Sequence, residues 1–389
     1  MFFRWRITVT ATVNTIEAAV SHMAPSWLHC VTVGTVVSGF VLLAFTIPSG
    51  MEGRVRVAFV GNSMMFVNDM PRFMETLSDG RILQQNSCLH GSVSFSTILR
   101  KGNGMYRRWK TKKARMDNGI WDFGACTVPQ LLLGQDRRLT LGNKNGFYWR
   151  DGLNPCMESE PYYRYLLQEE ERNTPSSSSW DFVVLNDHTK KPGLPQYRRR
   201  SLKALRKTFA PALRRTGAVP ILMATHGYVS NQTTMNTDTM DLGNVSDFTT
   251  SVLEGYLQYA SLLEQELPPK QKPLIAPTGV AFLYVYEQDP DMWEKLFFID
   301  NFHPSPHGSY LMGCVLHTTM FGTMPPFAHD LTSKYYQAPE LLWQNARKMQ
   351  LAGYDPMDWP ESDDLEYLND VCQKVGLNGV LPDSLGISV

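Results

Sequence analysis

The chain has 389 residues, 43% of them apolar and 19% charged, an ordinary globular balance with room for one large domain or two smaller ones. Its 37 basic residues balance 37 acidic ones, so no net field recruits nucleic acid, and no nucleic-acid motif is present. The six cysteines, Cys30, Cys88, Cys126, Cys156, Cys314 and Cys372, show none of the spacings of a zinc site, which argues against a structural metal.

Residues 1–26 form an N-terminal leader that carries Arg4 and Arg6. Residues 27–48, "WLHCVTVGTVVSGFVLLAFTIP", contain no Asp, Glu, Lys or Arg. An apolar run of roughly 20 residues can span a bilayer. The segment reads as a transmembrane signal anchor with a cytoplasmic N-terminus, leaving the rest lumenal or extracellular. One alternative is a signal peptide that starts at Met23 and is cleaved near Gly50, giving a secreted protein. Another is a buried soluble helix, which Gly34, Gly39 and the β-branched residues disfavour. The sequons at Asn231 and Asn244 are glycosylation acceptors and fit the same compartment.

From residue 54 the pattern becomes α/β. "RVRVAFVG" (54–61) predicts a strand. Met70, Phe73, Met74 and Leu77 then recur at helical spacing, with Asp69 to cap the helix, Pro71 in its first turn and Gly80 at its end. Residues 81–87 predict a second strand. Residues 100–180 are rich in Gly, Asn, Arg and Trp, and they read as a long insertion.

"WDFVVLND" (180–187) predicts a buried strand. A helix follows, with Leu202, Leu205, Phe209 and Leu213 as its stripe and Pro211 to kink or end it. Its eight basic residues read as a solvated outer face, or as a contact for an acidic glycan or lipid headgroup. A strand at 218–225, a helix with Phe248, Val252, Tyr256, Tyr259 and Leu263 on one side, and a strand at 272–279 complete the alternation. Residues 326–389 read as a C-terminal helical extension.

Alternating strands and helices imply parallel βαβ units. The expected fold is a three-layer α/β/α sandwich with a parallel sheet of about five strands, flavodoxin-like in plan. In such sheets the working site lies beyond the carboxyl ends of the strands. Ser63, Gly91 and Asn186 each follow a strand, and Asp300 and His303 lie after the last one. A serine hydroxyl needs a base, and an imidazole needs a carboxylate on its other nitrogen. Asp300 and His303, three apart in a loop stiffened by Pro304 and Pro306, can supply both. Ser305 and Pro306 read as the cap and first position of the next helix. The Ser63 and Gly91 amides and the Asn186 side chain are candidate oxyanion donors, and the glycines at 61 and 91 would let the backbone approach a substrate.

Four short stretches together resemble the SGNH (GDSL) hydrolase family. "GNSMMFVND" is similar to its first block, with Ser63 as the serine. Gly91 in "LHGSVS" matches the second-block glycine, and Asn186 in "VVLND" the third-block asparagine. "DNFH" matches the Asp-x-x-His block, giving Asp300 and His303. The resemblance covers 54–325. It departs from the family where Asn62 replaces an Asp and Val184 a Gly. It implies ester hydrolysis with no metal or cofactor. Members act on acetylated sugars, lipids and other esters, and some transfer acyl groups instead. The implied substrate is thus a small-molecule or glycan ester.

Other readings stand beside these. Ser63 could be a helix cap, and Asn186 a turn former at a strand end. A scaffold of this kind could also have lost catalysis and bind glycans. His307 could replace His303 as base. A metal shared by His303 and His307 is not expected, because Pro304 and Pro306 prevent a regular helix between them. Asn62 and His226 could line a pocket, or His226 could close a loop. Asp187 and His188 read as support for the site or as surface. Trp121 and Trp149 read as core packing or as a sugar platform.

Overall fold

The computed structural model describes residues 53–104, 116–117, 120–121, 125, 127–133, 180–228, 241–298, 300–326 and 360–386. The leader, the segment at 27–48, the sequon at Asn231, Trp149 and Cys30, Cys126 and Cys156 lie outside them, as do the side chains of Asp69 and Trp121. Among the described residues no helix is long and apolar enough to cross a membrane.

The sheet has five parallel strands: β1 (Val55–Gly61), β2 (Ile82–Leu89), β5 (Phe182–Leu185), β6 (Val219–Met223) and β7 (Leu274–Ala276). Their order is β2-β1-β5-β6-β7. The short strands β3 (Met116–Asp117) and β4 (Ile120–Trp121) pair only with each other. β1 and β5 pair from Val57↔Phe182 to Val60↔Leu185. Both are covered on two faces, which is why they read as unbroken apolar runs. Among the described residues β2 pairs with β1 alone, and its first half carries the exposed Leu83 and Gln84, as suits an edge.

Helices cover both faces, giving the expected three-layer α/β/α fold. α2 (Met70–Leu77) packs on β2. On that side also lie α8 (Thr278–Gln288), α10 (Pro306–Phe321) and α11 (Ser362–Val371). Against the other face lie α4 (Val128–Leu133), α6 (Ala210–Thr216) and α7 (Val245–Glu266). α4 falls inside the expected insertion, most of which lies outside the described residues. Six residues are too few to show a period, yet Val128, Leu131, Leu132 and Leu133 are all buried in the main core. The C-terminal helix enters the same core through Leu365, Leu368 and Val371, and the turn after it through Cys372, while Tyr310 of α10 donates to Asn369 at 2.9 Å.

The break expected at Pro211 falls one turn early. α5 (Pro195–Ala204) opens into a π-helical turn at Leu205–Phe209 and then continues as α6. Proline has no N–H to return to residue 207, and the wider turn accommodates that missing bond. The basic stretch is not simply a solvated face. Arg198 is buried and donates to the Pro192 carbonyl at 2.5 Å, while Arg206 and Arg214 bind Glu266.

α10 begins as its sequence predicts. The Ser305 hydroxyl accepts from the Gly308 amide at 3.2 Å, Pro306 takes the first position, and Gly322 ends the helix at φ +68°. A Cβ at Gly308 would collide with the Leu296 carbonyl, so glycine lets the helix start sit directly on the preceding loop.

Candidate active site

The strand order reverses between β1 and β5, since β2 is added on one side of β1 and β5, β6 and β7 on the other. Such a switch point opens a crevice at the carboxyl ends of the two strands. Ser63 follows β1 and Asn186 follows β5. Asp300 and His303 reach the same end less directly, because α8 and α9 (Pro290–Lys295) intervene after β7.

Ser63 opens the short helix α1 (Ser63–Phe66), and the cap is Asn62, not Ser63. The Asn62 Oδ1 accepts from the Met64 amide at 3.1 Å. Its Nδ2 donates to the Asp187 carbonyl at 2.7 Å and to the Val93 carbonyl at 3.3 Å. Asn62 is 2% exposed and therefore clamps three segments together instead of lining a pocket as expected. An Asp here would have no N–H for the two carbonyls, so asparagine at this position has a local cause. Gly61 also has one. A Cβ there would lie 2.9 Å from both the Asn186 Cβ and the Met65 Sδ, so packing between strand ends by itself requires glycine here. Ser63 itself is half-buried, and its hydroxyl carries no hydrogen bond to the described residues.

Asp300 and His303 sit in a tight loop closed by the bridge Phe297↔Pro304. The Phe298 amide donates to the His303 carbonyl at 2.9 Å, and Asn301 turns the chain at φ +60°. The Asp300 Oδ1 accepts from the Phe302 and His303 amides at 3.2 and 3.0 Å. Its Oδ2 lies 2.6 Å from the His303 Nδ1. Burial pushes the Asp300 carboxyl up, but the His303 ring and the two amides outweigh it and hold it below its ordinary value. An ionised Asp300 keeps the proton on Nδ1 and leaves the Nε2 lone pair free. That Nε2 is buried and has no hydrogen-bond partner among the described residues.

The hydrogen bond between Ser63 and His303 is therefore not made. What joins their two loops is Asn68, which the sequence reading did not single out. Asn68 is fully buried at φ +60°. Its Nδ2 donates to the Pro304 carbonyl at 3.0 Å and to the Ser309 hydroxyl at 2.8 Å. The only local signal was its residue type, since asparagine tolerates the left-handed region.

The expected oxyanion donors divide. The Ser63 amide heads a helix and has no carbonyl one turn behind it. The Gly91 amide likewise donates to none of the described residues. A Cβ at Gly91 would meet Phe66 at 3.7 Å, an ordinary contact, so glycine is not sterically required there. The Asn186 side chain is turned inward. Its Nδ2 faces the Met223 carbonyl at 3.4 Å and the Tyr256 hydroxyl at 3.3 Å, while its Oδ1 is buried without a partner. In this conformation it offers no donor to the crevice, because Tyr256 from α7 engages it in the core.

The other candidates separate clearly. His226 is fully buried and does not line a pocket: its Nε2 bonds the Phe302 carbonyl at 3.0 Å, and its ring stacks on Phe282 at 4.2 Å. It thus closes the His303 loop from below, and burial holds its pKa down to about 4. Asp187 is not at the surface. It is fully buried, and it accepts from the Phe95 amide at 2.8 Å and the Tyr259 hydroxyl at 2.7 Å. Burial raises its carboxyl. His188, mostly buried beside Lys190 and Lys191, is lowered to about 4 by burial and then by those charges. His307, in the first turn of α10, pairs with Asp364 at 3.0 Å, so it and His303 hold different carboxylates and His307 is not an alternative base. Asn244 caps α7 at an exposed position, accepting from the Asp247 amide at 2.9 Å.

No family model matches the chain. No curated protein matches it. Among solved structures, a DUF4886 family protein from Bacteroides uniformis is similar over 85% of this chain and 98% of its own, with 13% identity and a TM-score of 0.48.

Proposed function

We propose that this chain is a serine esterase resembling the SGNH hydrolases, cleaving O-acyl esters of the acetylated-carbohydrate or lipid class. One observation carries the reading. The His303 Nε2 is a buried, unpartnered base nitrogen on a ring that Asp300 holds by the other nitrogen. An unpaired buried polar atom costs about 1–3 kcal/mol, and a serine hydroxyl brought against it would remove that cost.

In this reading the Ser63 Oγ attacks the ester carbonyl while its proton passes to the His303 Nε2. The Ser63 and Gly91 amides receive the oxyanion. The imidazolium, stabilised by Asp300, then protonates the leaving alcohol. Water, activated in the same way, releases the acid and restores the serine. Asn186 joins the oxyanion hole only with its amide turned over. The Tyr256 hydroxyl, which accepts from both Asn186 and Asp187, would then donate to Oδ1, and Nδ2 would occupy the unpartnered position.

Transfer of the acyl group to a sugar hydroxyl shares every step up to the acyl-enzyme. The anchor read at 27–48 puts the chemistry in a lumen or outside the cell. A second reading, a glycan-binding protein without catalysis, draws on the unmade bond between Ser63 and His303. A fluorophosphonate probe decides between them. The esterase reading expects labelling of Ser63 and turnover of a small acetyl ester, both lost in Ser63→Ala. A folded protein that takes no label would sink it.

A further inference from the structure

The wall beside His303 is aromatic and ends in a cation. The Phe302 ring lies 3.9 Å from the His303 ring, centroid to centroid. Tyr228 lies 5.6 Å beyond Phe302, and the Lys190 ammonium stands 5.4 Å over the Tyr228 ring. Lys190 is only 9% exposed, yet among the described residues its ammonium makes no ion pair and no hydrogen bond. Lysines are seldom buried to this extent without a partner. The ring beneath it provides only a cation–π contact.

Further positive charge surrounds it. Lys191 follows directly, and Arg100 and Lys101 end α3 (Phe95–Lys101), which packs against α5. Lys101 is lowered by burial and then by Arg100 and Lys191. Lys191 is lowered by burial and by Arg200, against the pull of Asp187. These groups therefore share one field, and the acid among them, Asp187, is buried and already bonded to Phe95 and Tyr259. Lys190 and Lys191 come shortly after β5, as Ser63 comes shortly after β1, so both lie at the carboxyl end of the sheet.

We infer that Lys190 is an anion-recognition residue of the same site, and that the substrate is an ester bearing a second, negatively charged group such as a carboxylate or sulfate. The inference rests on the esterase reading and narrows its substrate class. The ester would sit between Ser63 and His303, with its anion reaching along the face of Phe302 and Tyr228 to the ammonium. A desolvated cation that pairs with no carboxylate among the described residues gains an ion pair when an anionic substrate binds, so its contribution goes to selectivity.

The test compares near-isosteric esters. 4-Acetoxybenzoate and 4-acetoxybenzamide differ in an anion on the alcohol side. The 4-nitrophenyl monoesters of succinic and succinamic acid differ in one on the acyl side. The wild-type protein should prefer at least one anionic member by about tenfold in kcat/KM, and added salt should reduce that preference. Lys190→Met, which keeps the buried stem, should lose it, the anionic member's kcat/KM falling about tenfold further than the neutral member's, and Lys190→Arg should restore part of it. Equal rates on both members of both pairs, or an equal fall on both in Lys190→Met, would overturn the inference. Calorimetric titration with 4-hydroxybenzoate reads the contact without turnover. Binding that weakens about tenfold in Lys190→Met supports it even with Ser63 inert, and no binding together with no anionic preference refutes it. Failure of the esterase reading itself would appear separately, as no labelling of Ser63.

Discussion

The Asn68 amide donates to the carbonyl of Pro304 at 3.0 Å, joining residues 236 positions apart in the chain. Asn68 lies one turn beyond Ser63, and Pro304 is the neighbour of His303. One buried side chain thus sets the spacing between the proposed nucleophile and its base. The second bond of the same amide, to Ser309, fixes that spacing to the start of α10.

Asn68→Ala should lower stability by about 1–3 kcal/mol, because the Pro304 carbonyl loses its donor and alanine disfavours a positive φ. Asn68→Gly relieves the backbone but not the carbonyl, so it should melt higher than the alanine variant. Both should lose kcat by about tenfold or more, since loss of positioning is costly even when the fold survives. Full turnover in either variant would remove Asn68 from this role.

The contrast between Asn68 and its surroundings shows what the sequence could carry. β1 and β5 were legible because strands buried on both faces must be apolar throughout. The start of α10 was legible because Ser305 and Pro306 act locally, whereas the need for Gly308 comes from the Leu296 carbonyl on the preceding loop. Asp300 and His303 were legible as a pair for the same reason: one turn holds both. The direction of the Asn186 amide was not, because it depends on Tyr256, a residue 70 positions later on another layer. Nor was the pairing of His307 with Asp364, 57 positions away. Gly61 was legible as a necessity but not for its reason, which only the neighbouring strand supplies.

Gly61→Ala tests that reason. The added carbon would press on the Asn186 Cβ, which stands on a paired strand end and cannot swing aside. A loss of about 1–3 kcal/mol is expected from overpacking, read as a lower denaturant midpoint. If the role of Gly61 were approach to substrate, activity would fall with stability unchanged.

His226 should make the protein acid-sensitive in a defined window. Its pKa falls from 6.5 to about 4 on folding, so the folded state favours the neutral ring. Between those values the unfolded chain binds the extra proton, and stability falls as pH drops. The contribution is complete above 6.5 and lost progressively down to about 4. His188 and His317, at about 4 and about 3, act in the same direction. His226→Phe keeps a ring on Phe282 but cannot titrate. Its stability should be lower at neutral pH, by about 1 kcal/mol for the lost bond to Phe302, and should decline less between pH 6.5 and 4. Parallel curves for the two proteins would show that His226 does not titrate in this way.

Asp300→Asn isolates the electrostatic part of the proposed site from its shape. The Asn Oδ1 can keep the amides of Phe302 and His303, so the loop should hold. Its Nδ2 would then face the His303 Nδ1 as a donor, in place of the carboxylate oxygen now at 2.6 Å. The imidazole must answer by accepting at Nδ1, which moves its proton to Nε2, the atom that should take a proton from Ser63. A base in the wrong tautomer, with no carboxylate to stabilise its cation, should lower kcat by about 10³–10⁴-fold while KM changes little. The same exchange should slow fluorophosphonate labelling of Ser63 without lowering the melting temperature at neutral pH to a comparable degree. Undiminished kcat in this variant would mean that Asp300 only shapes the loop, and that some other group serves His303.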